Sequence, residues 1–323
     1  MEIFFSTLNQ MLLMFLLIFV GFLLRKNNIL PRDTDTVLAK LETYVLTPAL
    51  TFSSWAGNCT LSSLIENANL ILYGFILIVV AVLLAEPLSR LFVHDIWRGE
   101  EAAYERHIYK YAMTFGNYGF MGNYIVLSIW GSEMFFKYSM FTLAVGFLCS
   151  SWGLLILIPK HKGQKETIRS MIRHAFPPPM IALIAGCMVG LLNLKQFIPG
   201  FVLNACDNAG ACMGPIAMIL AGFVIGGYEW KELLGKKKVY VASFLRLILI
   251  PAVFVVLLRL IGANNTILTF ALVVFGTPLG LNTIVYPAAY GGDTRTGASM
   301  TMISTLFSVI TIPLMYLVFV GGL

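Results

Sequence analysis

The sequence predicts an all-α protein that crosses a membrane many times, and three observations carry that fold class. Of 323 residues, 58% are hydrophobic and 12% charged, with mean hydropathy +0.83. Soluble domains carry about 25% charged residues. Apolar stretches of membrane length recur along the whole chain. Lysine and arginine gather in every second connection between those stretches, as they do in loops on one side of a membrane.

Ten spans are predicted, at about 4–24, 35–55, 68–88, 107–130, 137–159, 179–194, 200–227, 238–261, 266–289 and 297–320. The first follows no basic segment and has full membrane length, so it reads as a span and not a cleaved leader. The second holds Glu42 and Pro48. The fourth runs through Phe115-Gly116-Asn117-Tyr118-Gly119-Phe120-Met121-Gly122-Asn123. The sixth is short. The seventh is polar for a span, with Asn204, Asp207, Asn208 and Pro215. The eighth holds Arg246. The ninth runs through Phe275-Gly276-Thr277-Pro278-Leu279-Gly280-Leu281-Asn282.

The connections set orientation. Arg25, Lys26, Arg32 and Lys40 lie around the first. Arg90, Arg98, Arg106 and Lys110 lie around the third. The fifth has Lys160, Lys162, Lys165, Arg169 and Arg173, the seventh Lys231, Lys236, Lys237 and Lys238, and the ninth Arg295. The even-numbered connections hold only Lys137, Lys195 and Arg259. The positive-inside rule then places both termini outside. Trp55, Trp97, Trp130 and Trp230 fall near span ends, where an aromatic belt would sit.

The net charge of +6 follows these loops and is no nucleic-acid signal. The five cysteines have no metal-ligand spacing and read as packing residues. An enzyme would need a nucleophile–base set or a metal cluster. His94, His107, His161 and His174 all lie in or beside the basic loops, and none is spaced to pair with a cysteine or carboxylate.

The two glycine-rich segments belong to a repeat. Val20-Gly21 matches Val189-Gly190, and Thr47-Pro48-Ala49 matches Gly214-Pro215-Ile216. Asn123-Tyr124-Ile125-Val126 matches Asn282-Thr283-Ile284-Val285. Trp130-Gly131-Ser132-Glu133 echoes Tyr290-Gly291-Gly292-Asp293, and offsets stay between 159 and 169. Each copy holds five predicted spans. Five is odd, so the second copy enters inverted, as in many secondary carriers. The expected division is 1–160 for the first repeat, 161–178 for a basic cytoplasmic linker and 179–323 for the second repeat. Ile168, Met171, Ile172 and Phe176 can share one face of a surface-lying helix in the linker.

These residues resemble the auxin efflux carrier family in its compact microbial form, which includes malate permease-type proteins. The family is related in plan to the bile acid/sodium symporter superfamily. The resemblance rests on Gly21 with Arg25-Lys26, Thr47-Pro48-Ala49-Leu50, Asn117-Tyr118-Gly119-Phe120-Met121-Gly122, Thr277-Pro278 and Tyr290-Gly291-Gly292-Asp293. It implies scaffold and transport bundles, crossing spans four and nine, elevator-like movement, a carboxylate substrate and a homodimer. The long central hydrophilic loop of the plant carriers is absent here, which argues against auxin itself.

Physical reasoning points to the same place. Glycine and proline inside a span free backbone groups that lipid cannot satisfy, so both breaks must be buried or line a wet cavity. A helix restarting after a break presents free N–H groups and a partial positive charge, which suits a carboxylate. The candidate substrate-binding residues are Asn117, Tyr118, Gly119, Gly122, Asn123, Thr277, Pro278, Gly280, Asn282, Pro48 and Pro215. Asp207, Glu42 and Arg246 are coupling-ion or proton candidates, because ionisable residues within spans are functional suspects. Arg246 also reads as a side chain that snorkels or pairs. No cofactor is expected beyond a coupling ion, H+ or Na+. The leading expectation is a secondary carrier for small organic anions in the cell membrane. A sodium/proton-coupled antiporter and a carrier-fold sensor are the alternatives.

Overall fold

Helices account for all the regular structure in this computed structural model, which describes residues 2–94, 99–159 and 177–320. Six runs are long and apolar enough to cross a membrane: Phe5–Lys26, Leu61–Arg90, Glu100–Leu157, Gly200–Ile225, Lys237–Leu260 and Arg295–Phe319. Pro178–Leu191 and Asn265–Gly276 are apolar but shorter. The predicted linker lies outside the described residues apart from Pro177 and Pro178, and so does Trp97.

The helices that position the site are α1 (Glu2–Lys26), α2 (34–58), α3 (Ala68–Arg90), α4 (Glu100–Thr114), α5 (Asn123–Leu148), α6 (Pro178–Leu191), α7 (Gly200–Ile225), α8 (237–260), α9 (Asn265–Gly276), α10 (Asn282–Ala289) and α11 (Arg295–Phe319). The 58-residue run Glu100–Leu157 is not one straight helix. It breaks at Phe115–Asn117 and kinks again at Gly131, whose φ of 80° favours glycine.

Four π-turns interrupt the helices: Glu42–Leu46 in α2, Tyr118–Gly122 before α5, Cys149–Gly153 after α5 and Leu245–Leu249 in α8. Two have a visible cause. Pro48 follows the first and Pro251 the last, each at the start of the next helical segment. Proline lacks an N–H and crowds the carbonyl four residues back, so the preceding turn widens.

Close pairing of helices depends on bare glycines. Gly21 of α1 lies against the Ile219 carbonyl of α7, and Gly222 of α7 against the Ile18 carbonyl of α1. Gly190 of α6 sits against Cys59 and Trp55 of α2, and Gly186 against Phe52 and Trp55. Without water between helices, such backbone approach is a main source of attraction in lipid. α9 and most of α11 are buried and form the centre of the molecule.

Trp55 departs from the aromatic-belt expectation. It is 2% exposed, donates to Ser139 Oγ at 2.7 Å and packs edge-on against Phe136. Position near a span end did not reveal that α5 would cover it.

The α1–α7 contact generates a stability prediction. Gly222→Val would drive a side chain into the Ile18 backbone. Overpacking of this kind costs about 1–3 kcal/mol. The variant is expected to melt below wild type in detergent, as read by loss of the monodisperse peak after heating.

Candidate functional site

The two broken segments meet backbone to backbone. The Asn117 N–H donates to the Pro278 carbonyl at 2.7 Å, joining the break between α4 and α5 to the break between α9 and α10. Asn117 also closes its own turn, since its carbonyl accepts from Gly122 N–H at 2.9 Å. Its Oδ1 lies 3.5 Å from Met121 N. Across the junction, Leu279 N–H donates to Ser304 Oγ of α11 at 3.0 Å.

Two helices end here and two begin. The ends of α4 and α9 expose carbonyls carrying the negative pole of each helix. Arg246 of α8 serves both. Its Nε reaches the Thr277 carbonyl at 3.2 Å, Nη2 the Val274 carbonyl at 3.1 Å and Nη1 the Ala112 carbonyl at 3.4 Å. The side chain is 1% exposed. It neither snorkels to an interface nor forms an ion pair among the described residues. Two helix ends take the place of a carboxylate. Gly116 is what lets it in, because a Cβ there would strike Arg246 Nη2 and meet Thr277 Oγ1 at 2.7 Å.

The restarting segments face the other way, into a cavity of about 270 Å³. Asn117, Tyr118, Gly119, Asn123, Gly280 and Asn282 line it, with Gly116, Phe120 and Leu281. These six predicted residues are therefore brought together. The Asn282 amide donates to the Tyr111 hydroxyl at 2.8 Å, and that hydroxyl lies 3.2 Å from Cys149 Sγ. Gly119 opens onto empty space, while a Cβ added at Gly280 would meet Asn117 Cα at 3.5 Å.

The other candidates sit elsewhere. Thr277 is fully buried, with its hydroxyl 3.4 Å from the Val274 carbonyl, and contributes its own carbonyl to Arg246. Pro278 supplies the carbonyl that clamps Asn117. Gly122 is buried against the Tyr138 hydroxyl, which donates to the Tyr118 carbonyl at 3.1 Å. Pro48 and Pro215 lie within α2 and α7, outside the lining. Asp207 is exposed and accepts from the Ser53 hydroxyl, away from the cavity. Glu42 is completely buried beside the cavity but is not part of its lining.

Sequence reasoning missed one wall. Thr43, Thr47 and Thr51 of α2 line the cavity, joined by Ser139 and Thr142 of α5 and by Met180 and Leu183 of α6. The threonines recur every four residues, the spacing of one helix face, so the stripe was available in the sequence. The described lining contains no Asp, Glu, Lys or Arg.

Comparison with known proteins points to a transporter family. The profile of the family described as membrane transport protein matches residues 6–316. An uncharacterized transporter of Methanocaldococcus jannaschii is 23% identical over 318 residues, spanning 95% of this chain and 97% of the relative. An uncharacterized transporter of Methanothermobacter thermautotrophicus is 23% identical over 321 residues, spanning 97% and 98% respectively.

Arg246 offers a direct test of the junction. Arg246→Met leaves the buried Ala112 and Thr277 carbonyls without donors and the Val274 carbonyl with only the Thr277 hydroxyl at 3.4 Å, and each orphaned group costs about 1–3 kcal/mol. The variant is expected to lose about 2 kcal/mol or more. Arg246→Lys should fall between it and wild type, because an ammonium lacks the planar fork that spans two helix ends. Thermal unfolding in detergent measures both.

Proposed function

The chain belongs to the membrane transport protein family, the auxin efflux carrier family that its glycine motifs resemble, and on that premise we propose a secondary carrier that moves small organic anions by alternating access. The observation that carries this reading is the division of charge at the crossing. Arg246 occupies the carbonyl ends of α4 and α9, while the amide ends that follow face a cavity lined by asparagine amides and hydroxyls. Free amides at helix starts with no fixed anion nearby attract a carboxylate. The cavity volume is near the small end of the ligand-pocket range, which favours acids of few heavy atoms.

We read the whole chain as ten spans in two inverted repeats, with both termini outside the cell membrane and two copies per assembly. Pairing across the proposed repeat supports this. Gly21 packs α1 against α7, and its counterpart Gly190 packs α6 against α2. The two breaks are counterparts too, and they meet. Elevator-like movement of one bundle against the other is the proposed form of alternating access. Bare-cation antiport is a weaker reading, since no carboxylate lines the described cavity.

The test is the transient current from proteoliposomes after concentration jumps of mono-, di- and aromatic carboxylates. A saturable current selective among acids is expected, and silence with every acid would remove the anion-carrier reading. Asn117→Ala deletes an amide facing the cavity. A hydrogen bond to a charged group is worth about 1.5–3 kcal/mol, so half-saturation should rise about tenfold or more. An unaltered current from a folded Asn117→Ala protein would sink the assignment.

A further inference from the structure

We propose that the Glu42 carboxyl carries a proton that the carrier exchanges in step with its anionic substrate. This rests on the carrier reading above. The starting observation is geometric. Glu42 is 0% exposed, neither Oε1 nor Oε2 makes a well-formed hydrogen bond, and the side chain beside the carboxyl is that of Thr47. Thr47, which follows it across the π-turn, has a buried hydroxyl that is also unpartnered. Three protein oxygens thus lie buried on one turn with nothing assigned to them.

An ionised carboxylate cannot rest there. Burial without a partner strongly disfavours the charged form, and the group neutralises instead. Among the described residues, the helices packed against the turn offer no compensating cation. α7 carries Cys206, Asp207 and Cys212 as its titratable groups, and α6 carries Cys187. Asp207 is taken by Ser53 near the other end of α2, and Cys187 Sγ lies 3.5 Å from Cys59 Sγ, beyond that end. Cys212 is exposed. On α2 itself, Lys40 and Tyr44 are exposed and Asp35 is half-buried. A hard metal cation gathers about six oxygens or more, and three are too few. A proton needs only the carboxyl and one acceptor.

The position also provides a route. Thr43 and Thr47 line the cavity, and Glu42 directly precedes Thr43. Glu42 can release its proton to the Thr47 oxygen while the Thr47 hydroxyl passes its own proton to water in the cavity. One O–H bond breaks and one forms at each step, and nothing is oxidised. As a purely structural residue, Glu42 would be inferior to the leucine or methionine that fills such a site without a polar cost.

Infrared spectroscopy of the purified full-length protein in lipid, across a pH titration, tests the site without any substrate. Wild type is expected to show a protonated-carboxyl C=O band at neutral pH that Glu42→Gln lacks. Thr47→Val should shift the band and not abolish it, which decides the matter even if Glu42→Gln fails to fold. No band in wild type, a band persisting in Glu42→Gln, or a band unshifted in Thr47→Val overturns the assignment. Sodium that erases the band at constant pH assigns the site to Na+ and overturns the proton. In proteoliposomes, carboxylate accumulation driven by a pH gradient should lose its gradient dependence in Glu42→Gln. Retained dependence overturns the coupling. Wild type that shows the band but moves no carboxylate overturns the anion-carrier reading and leaves the proton site standing.

Discussion

A backbone carbonyl freed inside a membrane must find a donor within the protein, and the centre of this molecule is organised around that requirement. Breaking α4 and α9 where they meet frees carbonyls on two helices at once. One side chain, Arg246, answers both, reaching Ala112 on one helix and Val274 and Thr277 on the other. Its charge needs no carboxylate because two helix dipoles end upon it. The rest follows from that placement. Gly116 must lack a side chain, Asn117 is drawn against Pro278, and the restarting segments line the cavity.

The two buried acidic or basic side chains among the described residues sit in π-turns that a proline follows. Glu42 precedes Pro48 and Arg246 precedes Pro251. A widened turn rotates its residues off the regular helix face, so a side chain that would point to lipid can point inward. The outcomes differ because the neighbours differ. Arg246 meets carbonyls on two sides, whereas Glu42 has only the Thr47 hydroxyl beside it. The same local device therefore yields a fixed structural cation in α8 and an unsatisfied, neutralisable acid in α2.

Much of the site could be read from residues alone, and the boundary of that reading is physical. Asn117, Gly119, Gly280 and Asn282 were identifiable because glycine and asparagine in an apolar run have few reasons to be there. Gly122, Thr277 and Pro278 carry the same signature but serve the junction itself. Sequence identifies a helix break without saying which flank faces the cavity. The Thr43, Thr47 and Thr51 stripe was passed over because threonine is unremarkable in a span, although the four-residue spacing encoded it. Asp207 drew attention by its charge, and it lies exposed beside Ser53, outside the cavity lining. Arg246 was read by depth alone. Its partners are backbone atoms from helices far along the chain, which no pattern of side chains announces. Among the described residues six runs, and not ten, meet a simple criterion of length and hydropathy, because α6 and α9 are short, predicted spans four and five run together as Glu100–Leu157, and α2 is not among the runs that qualify.

The proposed carrier must release its cargo as readily as it captures it, and the cavity chemistry fits that demand. An arginine fork facing the cavity would hold a carboxylate through charge-assisted pairs about twice as strong as neutral hydrogen bonds. Amide dipoles and helix starts offer less, with a helix terminus contributing about 0.3–1 kcal/mol when solvated and about 2 when partly buried. Turning Arg246 toward the carbonyl ends keeps its stabilising role and removes it from the binding surface. Selectivity for an anion then comes from orientation of neutral groups, and the binding stays shallow enough to reverse when the cavity opens to the other side.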